Sequence, residues 1–313
     1  ELERRIIPVL RIFVDAVLDI PEHRRLPLFT KLLQTLSPDH FIWIFLAILF
    51  ESHIIHGIEE NNTNERKRKP HNKEEPVKRL DFAMSLIFEF SPEKKKKNFV
   101  KLIMYLKSLP EDKPEGESVP NEKPEVIFSI GHHSSKHLRH FKYTFVTFLN
   151  NVLSSPVFIQ NVSSHADQDI MEDLYKTFIV NTLTYIQTVS KITDKNIGKP
   201  QAKYWKVMLH HCYEVLDNTN NLLSVEMFLT VTRGLMLHNL STVRRKAMEI
   251  LNNKLSHNPG FFNECDKEIL FSILQPIMTI ITEIGENELP EGFSKQELEL
   301  NQQTALLSLK LLV

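Results

Sequence analysis

With 313 residues and 42% apolar side chains, the chain can bury a continuous core without help from metals or disulfides. Lys plus Arg number 38 against 39 for Asp plus Glu, which excludes a globally basic nucleic-acid or membrane binder, so any such surface must be local. Eight glycines, far below the usual roughly 7%, exclude a fold rich in tight β-turns, and two cysteines without a C-x-x-C partner exclude a disulfide framework and a Cys-rich zinc site and favour a reducing compartment.

Helical periodicity begins at once. Leu2, Ile6, Val9, Leu10, Phe13 and Val17 fall on one face, and Pro21 breaks the pattern. A second helix is predicted over 25–36, and Ser37-Pro38-Asp39 starts a third. The run Phe41 to Phe50 is the most apolar in the chain but half the length needed to span a bilayer, and it reads as a buried helix. Residues 57–76 carry few apolar side chains and include Arg66, Lys67, Arg68 and Lys69, so a flexible basic loop is expected there. Helices resume over 77–90 and 93–109, the latter opening on Lys94, Lys95, Lys96 and Lys97.

Pro110, Pro114, Pro120 and Pro124 stand among acidic residues, so 110–130 reads as a solvated linker between helices of 1–109 and a second set over 131–313. Only 126–130 tempts a strand assignment. Helices are then expected over 135–153, 167–190 and 203–216, the last with Trp205, Met208, Leu209, Cys212, Val215 and Leu216 as its stripe.

The most telling segment is Val243 to Leu255, preceded by an amphipathic helix over 221–238. Val243, Ala247, Ile250, Leu251 and Leu255 form one stripe, with small Ala247 allowing a neighbouring helix to approach closely. A final pair over 267–284 and 295–313 echoes it with Ala305, Leu306 and Leu309. Helical hairpins recurring every roughly 40 to 60 residues, loops included, match HEAT-type spacing. The predicted fold is an all-α solenoid of HEAT-type hairpins with inserted loops. The first residue is Glu1 and the last three, Leu311-Leu312-Val313, fall within an apolar helical pattern, so an excerpt of a longer array is expected.

No G-x-G-x-x-G, Walker-type loop, G-x-S-x-G or H-E-x-x-H occurs. His133, His137 and His140 share a helical face within Gly131 to His140, a spacing that suits metal. No acidic residue lies between Glu125 and Asp167 to join them, and Lys136 and Arg139 would repel a cation, so neither metal nor cofactor is expected. Lys94 to Lys97 sit at a helix start, unfavourably for cations; they are a solvated charge run or are compensated by a partner. Arg24 and Arg25 lie at a turn, and Arg244, Arg245 and Lys246 open the HEAT-like helix. Such residues pair with carboxylates of the next repeat or, together with Lys136, Arg139 and the basic loop, form a discontinuous ridge for RNA phosphate or a partner.

Arg11-Ile12-Phe13-Val14-Asp15-Ala16, then Ile20-Pro21-Glu22-His23-Arg24-Arg25-Leu26-Pro27-Leu28-Phe29, resemble the C-terminal region of the large HEAT-repeat ribosome-biogenesis proteins of the small-subunit processome, the HEAT repeat-containing protein one and Utp-ten family. The Phe41 to Phe50 helix and the tail Thr304 to Leu312 are similar as well. The resemblance implies a non-catalytic nucleolar scaffold that supports small-subunit rRNA maturation and RNA polymerase I transcription. Its implied partners are other processome proteins and pre-ribosomal RNA, directly or through those proteins, with no membrane and no small-molecule substrate. The rival reading is a HEAT-repeat transport or signalling adaptor that binds proteins without RNA.

Overall fold

A computed structural model describes residues 2–63, 75–113, 126–163, 168–238, 241–257, 262, 266–282 and 295–312. The elements are α1 (Leu2–Asp15), α2 (Glu22–Leu36), α3 (Pro38–Thr63), α4 (Glu75–Phe88), α5 (Pro92–Ser108), α6 (Ser135–Leu153), α7 (Pro156–Ser163), α8 (Gln168–Lys195), α9 (Ala202–Asn221), α10 (Val225–Met236), α11 (Ser241–His257), α12 (Lys267–Thr282) and α13 (Lys295–Leu312). Among the described residues there is no strand. The chain is an all-α array of packed helices, and it groups into two compact units: residues 1–165 with 189–215, and residues 166–188 with 216–313.

The first unit is organised around α3. Phe41, Ile42 and Ile44 to Phe50 are all buried, because α1, α2, α4, α5 and α6 each pack against this helix. A helix apolar on every side belongs in a core. The stretch Pro38–Ile55 is long and apolar enough to cross a membrane by length and composition, and 67% of it is buried against these neighbours. Single-residue Ser37, at φ 88°, joins α2 to α3. Phe29 bridges the layers, its ring 5.3 Å from Phe45 and 5.4 Å from Phe82, and Phe50 lies 5.0 Å from Phe145. Buried Asn98 stitches α5 to the start of α3: its amide donates to Pro38 O at 3.1 Å and its Oδ1 accepts from Trp43 N–H at 2.9 Å.

Several expectations change here. The buried face of α1 is Ile7, Leu10 and Val14, with Val17 buried just past its end, while Val9 is exposed. Residues 57–63, expected as loop, continue α3, since Gly57 alone does not outweigh helix-compatible neighbours. No strand forms at 126–130; Ile127 and Phe128 are apolar because they plug the core, Phe128 stacking on Phe141 at 4.5 Å. Both flanks of 110–130 belong to the first unit. The described start of that segment is fastened to α6 and beyond it, with Pro110 O accepting from Lys142 Nζ at 2.6 Å and Glu111 accepting from Asn196 at 3.3 Å. Short α7, which follows Ser155, is a further helix that the apolar periodicity does not announce.

In the second unit α10, α11, α12 and α13 pack as paired hairpins, α10 on α11 and α12, α13 on α11 and α12. Val243, Ala247 and Leu251 are buried, and Ile250 and Leu255 are partly buried. In α13 the buried stripe is Asn301, Ala305 and Ser308, and Leu309 is partly buried. Leu306, expected in the core, is 52% exposed. The reason is size. Ala305 and Ser308 let α13 lie close against α11, and the next residue points about 100° away around the helix. Ser308 Oγ donates to Thr304 O at 3.0 Å, so its burial leaves no polar atom unmet.

Candidate nucleic-acid interface

The lysine run of α5 is not a solvated face. Lys95 and Lys96 are buried, and burial lowers both pKa values, Lys95 to about 8 and Lys96 well below the ordinary lysine range. The Lys95 ammonium sits 4.9 Å from the Phe88 ring centre and 5.6 Å from that of Phe158. Lys97 pairs with Glu93 at 2.6 Å and Asp39 at 3.5 Å, which leaves half-buried Lys94 as the other member of the run. Arg25 turns inward, donating to Ile20 O at 2.9 Å, while Arg24 is exposed. Arg245 and Lys246 both pair with Glu249 one turn along α11, a carboxylate of their own helix. Arg244 beside them is half-buried. Arg66, Lys67, Arg68 and Lys69 lie outside the described residues.

The three histidines of the predicted face have separate roles. His133 Nε2 lies 2.9 Å from the buried carboxylate of Glu51, which also holds Arg11 at 2.5 Å. His137 completes a capping box at the start of α6: Ser134 Oγ accepts from His137 N–H at 3.2 Å, and His137 Nδ1 accepts from Ser134 N–H at 3.2 Å. His140 faces a surface cleft. Among the described residues no group of three or more His, Cys, Asp and Glu side chains is placed to hold a metal ion.

That cleft brings two sequence-predicted residues together. Lys136, Arg139, His140 and Tyr143 occupy i, i+3, i+4 and i+7 of α6, hence one face, and Tyr204 of α9 closes the opposite wall around a volume of about 260 Å³. The walls are fixed from behind. Tyr204 Oη donates to Arg139 O at 2.6 Å, and burial pushes its hydroxyl pKa well up, so it stays protonated. Tyr143 Oη lies 3.4 Å from His211 Nε2, and His211 Nδ1 lies 2.6 Å from Glu214. A proton on Nδ1 facing Glu214 leaves Nε2 to accept from Tyr143. Asp112 orients the Arg139 guanidinium at 3.1 Å. Lys136 makes no ion pair among the described residues and is exposed. Partial burial, then the Lys136 charge, lowers the His140 pKa, so the imidazole is neutral at neutral pH.

Two cations, an imidazole and two tyrosine rings therefore line the cleft. Cys212, which lies on α9, is buried with its thiol pKa pushed up by burial, the reverse of an activated thiolate. Tyr143 is not among the residues the sequence reading singles out, although its i+7 spacing from Lys136 is the signal that could have found it. Tyr204 carries no such signal, because only the packing of α9 on α6 brings it to the cleft.

Comparison with known proteins agrees with this architecture. A family model described as HEATR1-like, HEAT repeats, matches residues 1–221. Over 99% of its length the chain is 34% identical to HEAT repeat-containing protein 1 of Danio rerio and, over the same share, 33% identical to that of Homo sapiens. Over 88% of its length it is 22% identical to the U3 small nucleolar RNA-associated protein 10 of Chaetomium globosum. The chain spans 15%, 14% and 14% of these three proteins.

Proposed function

Because the chain belongs to the HEATR1-like HEAT-repeat family, we propose that it serves as a non-catalytic scaffold segment in ribosome biogenesis, within the small-subunit processome of the nucleolus. The observation that carries this reading is similarity along 99% of the chain to HEAT repeat-containing protein 1 from two vertebrates, extended by the more distant U3 small nucleolar RNA-associated protein. Supporting pre-rRNA processing and promoting RNA polymerase I transcription are the finer parts of the proposal.

The mechanism is positioning. Stacked hairpins offer extended surface to several proteins at once, and pre-ribosomal RNA is held directly or through them. No membrane, small-molecule substrate or cofactor enters this mechanism.

The test is affinity purification of the tagged full-length protein from nuclear extract, with and without nuclease, combined with depletion. The expected result is recovery of pre-ribosomal RNA with early small-subunit assembly proteins, the protein set surviving nuclease, and loss of small-subunit rRNA maturation on depletion. Recovery of transport or signalling proteins without pre-rRNA, or unaltered rRNA synthesis and maturation after depletion, refutes it.

A further inference from the structure

We propose that the cleft between α6 and α9 is a direct contact site for single-stranded RNA, in which Tyr143 and Tyr204 offer rings to a base and Lys136, with Arg139, takes the adjoining phosphate. The inference deepens the scaffold reading, which leaves open whether RNA is held by this chain or by its partners.

Four observations converge on it. Two cations, Lys136 and Arg139, are followed one turn on by the His140 and Tyr143 rings on the same helical face, the combination that single-strand binders use: charge tracks the backbone while rings stack on bases. Both tyrosine hydroxyls are engaged within the protein, by Arg139 O and His211, so what the walls offer a ligand is ring surface. The volume of about 260 Å³ lies below the roughly 300–1,000 Å³ of sites for drug-sized ligands, which fits one unit of a longer chain. Neutral His140 supplies a donor and an acceptor without adding charge, suited to a base edge.

Charge selects the partner. Lys136 and Arg139 against Asp112 leave a small positive excess, enough for a phosphodiester but far short of a patch that would hold a duplex by its backbone. Exposed Lys203 and Lys206 flank Tyr204 in sequence and continue the basic character along α9. A-form duplex is excluded sterically as well, since its bases are stacked inside and only splayed-out bases reach a ring.

The experiment uses the purified 313-residue chain and a fluorescein-labelled oligouridine, read by anisotropy, with a 4-thiouridine version for photocrosslinking. Lys136→Glu is expected to weaken binding about tenfold and to flatten the salt dependence, the log–log slope falling by about 0.7 or more for each phosphate that is no longer neutralised. Tyr143→Ala is expected to weaken it about fivefold or more, whereas Tyr143→Phe, which keeps the ring, stays within about twofold. Lys31→Glu, on an exposed position of α2, should leave affinity unchanged. Crosslinks should map to α6 and α9, a readout independent of variant folding. Lys136→Glu binding within about twofold of the parent, crosslinks confined to other helices, or equal displacement by a polyglutamate peptide would each overturn the assignment. The two proposals fail separately. If full-length protein retrieves pre-rRNA and assembly proteins while the purified chain ignores Lys136→Glu, only the cleft is wrong. If it retrieves neither, the scaffold reading falls whatever the oligouridine does.

Discussion

Replacing Lys142 by Met should make the stability difference between variant and parent depend on pH in a calculable way. Lys142 is 3% exposed, its ammonium bonds Pro110 O at 2.6 Å and lies 5.8 Å from the Trp205 ring centre. Burial lowers its pKa from the ordinary 10.5 to about 8, with Glu111 and Asp112 pulling partly back. The folded value is the lower one, so between the two the unfolded chain binds more protons and folding stability rises with pH. Below about 8 the cost of the buried charge is fully present, about 3 kcal/mol at about 1.4 kcal/mol per pH unit. At about pH 9.5 the same linkage leaves about 1 kcal/mol, so the parent gains about 2 kcal/mol relative to the variant between about pH 7 and 9.5. At neutral pH the Met variant escapes the charge cost but leaves the Pro110 carbonyl unmet, at about 1–3 kcal/mol. The net there is about 0–2 kcal/mol in favour of Met. Urea unfolding followed by tryptophan fluorescence measures this cleanly, because both tryptophans, Trp43 and Trp205, lie in the first unit. Other titrating groups cancel in the parent-minus-variant difference. A difference constant from about pH 7 to 9.5 would refute the buried-charge argument.

Three further outcomes concern the second unit. Ala247→Arg forces a charge into the seam between α11 and its neighbours and should destabilise by about 3–5 kcal/mol, read as diminished hydrogen-exchange protection across α10, α11 and α13; unchanged protection would remove Ala247 from the seam. Gly234→Ala places its Cβ 2.9 Å from Cε of Lys176, a flexible end that can swing away, so the helix-propensity gain prevails and thermal unfolding should show about 0.5–1 kcal/mol of stabilisation. Leu306→Ser should change stability by less than about 0.5 kcal/mol in the same assay, since Leu306 is exposed, whereas Ala305→Asp should cost about 3 kcal/mol or more. Equal effects at the two positions would contradict the α13 register described above.

Periodicity and punctuation made most helices legible. Ser135 to Leu153 has the same bounds in sequence and structure, because Ser134 caps one end and the apolar stripe runs out at the other. What periodicity does not carry is the partner. Four consecutive lysines look solvated until Phe88 and Phe158 arrive from other elements to cover Lys95. Val126 to Ile130 looks strand-like because core plugs and half-buried strands share apolar side chains, and only a ladder partner separates them. In α13 the larger Leu306 drew the stripe to itself, although close helix packing selects the smaller Ala305 and Ser308. The cleft was half legible for the same reason: Lys136 and Arg139 stand in one cluster, but Tyr204 belongs to a helix far along the chain.

The buried polar groups of the first unit share a function that bears on the cleft. Stacked amphipathic hairpins are poorly specified in register, since one apolar stripe slides on another at modest cost. Directional bonds to particular backbone carbonyls do not slide. Asn98 reaches Pro38 O, Arg11 reaches Val126 O at 2.8 Å, Asn150 reaches His211 O at 2.9 Å and Lys142 reaches Pro110 O. A one-turn slip, about 5.4 Å, would strand a buried donor at Asn98, Asn150 or Lys142 and break the partly exposed Arg11 bond. Asn150 and Tyr204 fix α6 against α9 in the same way, and it is this pair whose register decides whether Tyr204 faces Lys136 and His140 at all. The two bonds therefore act on the cleft through its walls: Asn150→Leu keeps the bulk of the side chain and should loosen the wall, lowering oligouridine affinity through Tyr204 while Lys136 and its charge stay in place.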